Sequence, residues 1–289
     1  AKKIDQGVME VGAMTAFITY SMMIIMGFLM LTMVSIMLPR AAVAANRINE
    51  VLTTEITIKD KQNAVTAKAD RAVIKFNHVN FKYPDGEENI LEDIDFEAKP
   101  GETIAIIGST GSGKSTLAKL IPRFFDLTEG SITLDGTDIR DISVETLRSQ
   151  IGYVPQTGIL FSGDINSNIA YGAPGIDEKG IEEAAEIAQA TEFINDKPEK
   201  YDSPISQGGT NVSGGQKQRL SIARAIARNP KIYIFDDSFS ALDFKTDTEL
   251  RKALKPKTKD ATVFIVAQRV STILHADKIL VLEDGKLVG

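Results

Sequence analysis

The chain has 289 residues, of which 43% are hydrophobic and 25% are charged, a composition typical of a globular protein of one or two domains. Its net charge of −6 argues against nucleic acid as the main partner. The absence of cysteine excludes disulfides, thiolate catalysis and cysteine-based zinc sites, and two histidines are too few for a histidine-rich metal site.

The first predicted element is a long apolar helix. Residues 11–38 form a stretch of 28 positions without a charge, and about 20 apolar residues are enough to span a bilayer. The pattern continues as helix through an alanine-rich stretch that contains Arg40 and Arg47. We therefore predict a transmembrane helix that continues into water, with its extension ending at residue 52. The start at Ala1, without an initiator Met, favours a fragment of a larger protein.

One face of this helix is rich in methionine. All eight methionines precede residue 40, and a subset recurs at intervals of three or four residues: Met22, Met26, Met30, Met33 and Met37. Such a face either packs against neighbouring helices or lipid, or offers a pliable surface to varied apolar compounds, because methionine side chains adapt to many shapes. Both interpretations remain open at this point.

The remaining chain has the pattern of an α/β domain. Residues 53–71 are polar and weakly periodic, which predicts a linker. From residue 72 onward, strand-like and helix-like segments alternate, which is typical of a largely parallel sheet. The predicted strands are 73–83, 103–107, 131–136, 232–237, 262–267 and 278–285, and the predicted helices are 115–125, 177–190 and 214–229.

The most specific chemical motif lies directly after the strand predicted at 103–107. GSTGSGKST fits the phosphate-loop pattern G-x-x-x-x-G-K-S/T in its required strand-to-helix setting. Its glycines let backbone N–H groups close around phosphate oxygens, Lys114 can reach the β- and γ-phosphates, and the Ser115 hydroxyl can bind Mg²⁺. The predicted phosphate-binding residues are Gly108, Ser109, Thr110, Gly111, Ser112, Gly113, Lys114, Ser115 and Thr116.

Two further motifs lie downstream of the phosphate loop. In NVSGGQKQR, backbone and hydroxyl donors at a helix N-terminus can bind an anion, although a plain serine N-cap explains the same letters in isolation. The apolar run IYIFDD then ends in Asp236 and Asp237, which a buried strand would deliver to a site. One acid could hold a metal while the other acts as a base.

Together these motifs resemble the ATP-binding cassette (ABC) family over nearly the whole of residues 73–289. The resemblance implies that Tyr83 in FKYPD stacks on adenine and that GSTGSGKST is the Walker A motif. It also implies that Gln156 in YVPQ reaches Mg²⁺ and senses the membrane domain. The fold class is then a P-loop NTPase domain of the ABC type, α/β, with an N-terminal transmembrane helix, and the bound cofactors are ATP and Mg²⁺.

The later motifs match the same family in order. IYIFDD is similar to Walker B, with Asp236 as the metal-side carboxylate, and SALD, ending at Asp243, is similar to the D-loop. VAQRVSTI is similar to the switch segment and contains Gln268. VSGGQ is similar to the signature motif, which implies that four residues complete the ATP site of a partner subunit: Ser213, Gly214, Gly215 and Gln216.

The apolar helix fits the same resemblance. It looks like the last transmembrane helix of an exporter half, followed by a linker at 53–71 and a nucleotide-binding domain at 72–289. The resemblance implies a full-length protein that crosses the cell membrane several times, with this domain in the cytoplasm. Its partners would then be the lipid bilayer, a lipophilic small molecule and a second half-transporter, and not nucleic acid.

Two residues depart from the family pattern. The residue after the Walker B Asp is normally Glu, which acts on the attacking water, and Asp237 draws this carboxylate back by one C–C bond, about 1.5 Å. A displacement near 1 Å can cost on the order of 100-fold in rate. The switch segment normally carries His, whereas Gln268 can donate a hydrogen bond but cannot carry a proton at neutral pH. Asp237 and Gln268 are thus the predicted catalytic positions of a slow site.

The two departures predict an unequal pair of subunits. Cassettes of this family work head to tail, and each ATP lies between the Walker motifs of one subunit and the signature of the other. An impaired Walker site with an intact signature resembles one subunit of a heterodimeric multidrug exporter. A homodimeric exporter and a regulatory subunit that binds ATP without hydrolysing it remain alternatives.

Overall fold

The chain, described by a computed structural model at Gly7, residues 10–268 and residues 273–289, divides into two units, Ala1–Thr57 and Ile58–Gly289. The first unit is built on one helix, α1, which runs from Val11 to Thr53. It continues through Pro39, as the sequence predicts, and none of its residues is buried. By its length and composition α1 can cross a membrane.

The serine and threonine hydroxyls in the apolar part of α1 bond back onto the helix. Each of them donates to the carbonyl four residues earlier, at 2.8–3.1 Å. These residues are Thr15, Thr19, Ser21, Thr32 and Ser35. A hydroxyl bonded in this way presents no unsatisfied donor to hydrocarbon, so the polar residues of the stretch are compatible with lipid.

The second unit contains a six-stranded, largely parallel sheet. Its strands are β3 (Thr103–Gly108), β6 (Ile151–Val154), β9 (Ile232–Asp236), β10 (Thr262–Val266), β11 (Lys278–Glu283) and β12 (Lys286–Leu287). The order is β12-β11-β3-β10-β9-β6, and among these strands β12 alone pairs antiparallel. The α/β fold with a largely parallel sheet is therefore confirmed.

Central strands β9 and β10 are buried at every position, as expected for parallel strands covered on both faces. Alternate residues face different cores: Ile232 and Ile234 belong to one apolar cluster, and Tyr233 and Phe235 belong to the other. The carboxyl ends of β3 and β9 lie at the same edge of the sheet, because both strands pair in parallel with β10. The phosphate loop and the acid pair are thereby brought together.

A second, antiparallel sheet packs into one of these cores. Its strands are β1 (Ile74–Phe81), β2 (Leu91–Ala98), β4 (Glu129–Leu134) and β5 (Thr137–Asp138), in the order β2-β1-β4-β5. The sequence predicts β1 and β4 but not β2. A short antiparallel pair is formed by β7 (Gly163–Asp164) and β8 (Pro204–Ile205).

Seven helices are described in the second unit: α2 (Lys114–Leu120), α3 (Val144–Ser149), α4 (Ile165–Ala170), α5 (Glu178–Ile187), α6 (Thr191–Asn195), α7 (Gly214–Ala227) and α8 (Phe244–Lys257). Two 3-10 helices cover Lys200–Asp202 and Gln207–Gly209. Helices α5 and α7 agree with the sequence prediction. Helix α2 is shorter than predicted because Pro122 follows its C-cap, and proline has no backbone N–H with which to continue the helix.

Part of the polar segment predicted as a linker is bonded to the second unit. Val65 bridges to Ile142, and the Asp60 carboxylate accepts a hydrogen bond from the backbone of Val144. The Lys231 ammonium donates to two backbone carbonyls of the segment, at 2.6 and 2.7 Å. Helix α1 ends at Thr53 and the units divide after Thr57, while the domain boundaries at 53 and 71 stay predictions.

Candidate functional site

The phosphate-loop residues lie between β3 and α2, in a backbone that requires glycine at two points. Gly108 has a φ of 154°, and a Cβ there would lie 2.1 Å from the carbonyl oxygen of Leu282. Gly113 has a φ of 97° and begins α2, where a Cβ would meet the Leu91 side chain at 2.7 Å. Close packing of the loop against its neighbours therefore excludes side chains at both positions.

Lys114 points into this loop. Its ammonium donates to the carbonyls of Gly108 and Ser109, at 2.9 and 2.6 Å, and the residue is 8% exposed. Burial lowers the pKa of Lys114, while the charges of Asp237 and Asp236 act in the opposite direction. The loop thus holds a buried cation beside the two acids that end the Walker B-like strand.

Asp236 is held by two hydroxyl groups. Ser115 Oγ donates to its Oδ1 at 2.6 Å, and Tyr153 Oη donates to its Oδ2 at 2.9 Å. Burial and the nearby charge of Asp236 raise the pKa of Tyr153 well above its usual value, so the phenol stays protonated. The sequence predicts Ser115 and Asp236 as metal ligands but does not predict a role for Tyr153. The signal available for that role is that Tyr153 is the first residue of the YVPQ motif.

Asp237 is held by two amide groups instead. The Nε2 atoms of Gln156 and Gln268 both donate to its Oδ2, at 3.2 and 3.0 Å. The residue is 7% exposed, and its backbone N–H donates to the carbonyl of Val266 at 3.0 Å. The structure therefore joins three predicted site residues that are far apart in the sequence. The part of the switch segment at residues 269–272 lies outside the described residues.

Tyr83, two residues after the end of β1, reaches the same region. Its hydroxyl lies 3.0 Å from Thr116 Oγ1, on the helix that follows the phosphate loop. Phe81 and Phe125 meet its ring edge-on, with centroids 4.9 and 5.0 Å away. The aromatic ring is therefore fixed beside the loop, while its stacking on adenine stays a prediction.

The signature-like residues form the N-terminus of α7. Ser213 is its N-cap, accepting from the Gln216 N–H at 3.3 Å while the Gln216 side chain accepts from the Ser213 N–H at 3.0 Å. This reciprocal pair is a capping box. In the part of the chain that the structure describes, a Cβ on Gly214 would meet nothing within 4 Å, and one on Gly215 would lie 3.4 Å from the carbonyl of Ala241. The cap is thus present, and Gly214 has open space beside it.

Asp243 caps the next helix. Its carboxylate accepts from Thr246 N at 2.9 Å and Thr246 Oγ1 at 2.6 Å. Hydrogen bonds from the Thr246 side chain and backbone hold the pKa of Asp243 below its usual value. The exposed aspartate of the predicted D-loop therefore has a structural role as the N-cap of α8.

The predicted metal ligands fit Mg²⁺ in the company of phosphate oxygens. Among the described residues, no group of three or more His, Cys, Asp or Glu side chains could hold a metal on its own. Mg²⁺ typically binds one or two protein groups together with substrate phosphates. Ser115 and Asp236 are in direct contact, and Gln156 contacts Asp237, the next residue. These oxygen-bearing side chains suit a nucleotide-bound metal.

Comparison with known proteins found similar sequences in one family. The family model described as ABC transporter matches residues 91–240. An uncharacterised ABC transporter ATP-binding protein of Mycobacterium tuberculosis is 43% identical over 291 residues, covering 99% of this chain and 50% of the relative. A Bacillus subtilis protein, provisionally named as a multidrug export ATP-binding/permease protein, is 42% identical, covering 99% of this chain and 49% of the relative.

A solved structure shares the same fold. It is described as a bacterial Atm1-family ABC exporter with ATP bound, and it superposes with a TM-score of 0.81 at 36% sequence identity. The match covers 90% of this chain and 46% of that one. The present chain thus spans about half the length of the curated relatives that it matches.

Proposed function

The chain belongs to the ABC transporter family, and we propose that it is part of one subunit of an ATP-driven exporter of lipophilic compounds. Its homology to ABC exporter ATP-binding/permease proteins supports export, and the name of the Bacillus subtilis relative supports compounds of the drug type. The full-length subunit crosses the cell membrane several times and places the second unit in the cytoplasm. Helix α1, in whose apolar stretch the serine and threonine hydroxyls are all bonded internally, is one of the spanning helices.

The second unit binds ATP with Mg²⁺. Lys114 meets the phosphates from inside the loop, the backbone N–H groups of residues 108–116 surround them, and Tyr83 stacks on adenine. Ser115 donates its proton to Asp236, so the Ser115 oxygen would be available to bind the metal. The Gln156 amide nitrogen donates to Asp237, so the Gln156 amide oxygen would be available to the same ion. When bound, Mg²⁺ neutralises charge on the phosphates.

The chain's own site hydrolyses ATP slowly. The observation that carries this conclusion is the Asp237 carboxylate, which accepts hydrogen bonds from both Gln156 and Gln268. Two amides thus hold one oxygen of this carboxylate, which limits its freedom to turn toward an attacking water. Asp237 also reaches about 1.5 Å less far than Glu, and Gln268 carries no charge to offset the developing charge on phosphate.

The signature residues complete the site of a partner. Among the described residues, no atom within 4 Å would exclude a Cβ from Gly214. A bare backbone at this place suits the close approach of a group from outside the chain. Because the chain's own Walker site departs from the family pattern at Asp237 and Gln268 while its signature is intact, we infer a heterodimer. Its partner carries Glu after its Walker B Asp and His in its switch.

The test is single-turnover ATP hydrolysis by the full-length protein, purified alone and then together with a co-expressed second half-transporter. We expect slow hydrolysis alone and fast hydrolysis in the mixed complex. The control is the mixed complex in which the partner's Walker B Glu is replaced by Gln, which should return it to the slow rate. Fast turnover by this protein as a homodimer would contradict the heterodimer.

The two amide bonds on Asp237 also favour a second candidate function, a regulatory subunit that binds ATP without hydrolysing it. In that case ATP at this site keeps the two cassettes in contact by favouring their closed state. The two functions differ in whether the site can be restored to hydrolysis by substitution.

A further inference from the structure

The buried carboxylate of Asp236 carries a hydrogen bond that the phosphate-loop motif does not account for. Ser115 donates to Oδ1 at 2.6 Å, and the phenol of Tyr153 donates to Oδ2 at 2.9 Å. Asp236 is 3% exposed, and hydrogen bonds in such a water-poor setting have strong control over orientation. Each oxygen of the carboxylate therefore has a hydroxyl that fixes its direction.

Strand pairing explains why Tyr153 reaches Asp236. Tyr153 on β6 lies opposite Ile234 on β9, in a parallel register. Residues 234 and 236 point to the same face of the sheet and lie about 6.6 Å apart along the strand. A phenol spans this distance, whereas a phenylalanine would fill the same space without donating a hydrogen bond.

The ring of Tyr153 is held by a packed framework. Phe124 meets it edge-on at 5.3 Å between centroids, and the guanidinium of Arg148 lies 5.2 Å from the centre of the Phe124 ring. Arg148 also donates to the carbonyls of Pro122 and Arg123, at 3.0 and 2.7 Å. The phenol is thus presented to Asp236 from strand β6 and from neighbours that are themselves bonded in place.

We propose that Tyr153 is a positioning residue for the metal side of this site, an inference that rests on the proposed binding of ATP with Mg²⁺. Tyr153 holds the Asp236 carboxylate in the orientation that receives the Ser115 proton. The Ser115 oxygen then keeps its lone pairs for the metal. Without the phenol hydroxyl, Asp236 can rotate and Ser115 loses this orientation, so the nucleotide complex binds Mg²⁺ more weakly while ATP itself is still bound.

The test uses Tyr153→Phe in the full-length protein, with a fluorescent ATP analogue bound in EDTA and across a Mg²⁺ titration. We expect metal-free affinity within about twofold of the unsubstituted protein, and a Mg²⁺ midpoint about tenfold higher, because a hydrogen bond to a charged group is lost. Tyr233→Phe is the matched control. Tyr233 lies buried on β9, and its hydroxyl has no hydrogen-bond partner among the described residues, so its removal should leave the midpoint unchanged.

An unchanged Mg²⁺ midpoint in Tyr153→Phe would overturn the proposal. An equal loss of affinity with and without Mg²⁺ would also overturn it, because Tyr153 would then support the fold alone. If the unsubstituted protein binds the analogue under no condition, the proposed function itself is contradicted. This outcome is distinguishable from failure of the Tyr153 proposal, because it does not depend on any variant.

Discussion

At position 237 the backbone and the chemistry favour different residues. Asp237 has a φ of 50°, in the left-handed region where aspartate is enriched over longer side chains. Its short side chain also places Oδ2 within reach of Gln156 and Gln268. A glutamate would carry its carboxylate about 1.5 Å beyond these amides. The local structure therefore suits aspartate, and hydrolysis would be better supported by glutamate.

Asp237→Glu should increase single-turnover hydrolysis at this site by on the order of tenfold, because the carboxylate moves toward the position of the attacking water. We also expect a loss of about 1 kcal/mol in the free energy of unfolding from the left-handed backbone. The measurements are hydrolysis in the complex with a partner whose Walker B Glu is replaced by Gln, and thermal unfolding.

Asp237→Asn is the matched control for that experiment, because it keeps the side-chain length but cannot accept a proton. It should show no increase in hydrolysis. If Asp237→Glu also gives no increase, alone or combined with Gln268→His, then the slow-site hypothesis fails and the regulatory subunit is the better account.

The second unit is tied to its entry segment through Asp135, in the turn between β4 and β5. The carboxylate accepts hydrogen bonds from the backbone N–H groups of Arg71, Ala72 and Val73, at 2.9, 3.2 and 2.7 Å. Partial burial of the carboxylate would by itself raise the pKa of Asp135, but these hydrogen bonds together lower it below the usual value. The ionised carboxylate thus anchors the chain just before β1.

Asp135→Asn should reduce the free energy of unfolding by about 1 kcal/mol near pH 7, a low value because the carboxylate is exposed to solvent. A depressed pKa means that the stabilisation is complete above the unfolded-state pKa, about 3.9, and is lost as pH falls through the folded-state pKa. The difference between the two proteins should therefore shrink below about pH 4. Denaturant unfolding across pH checks this, and a difference that stays constant to low pH would contradict it.

The elements that sequence reasoning found differ physically from those that it missed. Strands β9 and β10 are buried on both faces and appear as apolar runs, and the phosphate loop has fixed letters because backbone geometry demands glycine. Strand β2 carries acids on its exposed positions, and its place is set by pairing with β1. The role of Tyr153 likewise depends on the register between β6 and β9, which is long-range and leaves no local pattern.

For the polar segment before β1, contacts run largely through backbone atoms. Lys231 donates to the carbonyls of Ala69 and Asp70, and the N–H of Ala69 donates to Gln150. Backbone contacts leave no side-chain periodicity in the sequence. The segment is therefore predicted as a linker although it is hydrogen-bonded to the domain. The predicted pairing of subunits is different again, since it rests on two departures from the family pattern, Asp237 and Gln268, and not on any pattern of hydrophobicity.

For the whole molecule, the N-terminus of α7 combines an internal role and an external one. Ser213 caps the helix, which is the structural explanation of the motif, and its capping bond is worth about 1 kcal/mol. The open space at Gly214 has no such internal explanation. A substitution that keeps the cap and changes the charge can therefore separate the stability of this chain from the completion of a partner's ATP site.

Ser213→Asp is that substitution, because aspartate caps a helix about as well as serine and its charge suits the positive end of the helix. Thermal unfolding of the full-length protein should therefore change little. In the mixed complex, the added negative charge would face the phosphates of ATP in the partner's site, and hydrolysis there should fall by on the order of 100-fold.

Ser213→Asn supplies the comparison, since it caps equally well without a charge and should cost the partner's site far less. The loss with Asp should also weaken at high salt if it arises from repulsion between charges at the subunit contact. Hydrolysis that is unaffected by Asp at position 213, with α7 intact, would mean that this signature does not complete the partner's site. The N-cap would then be a sufficient explanation of the serine, and the open space at Gly214 would need a different occupant.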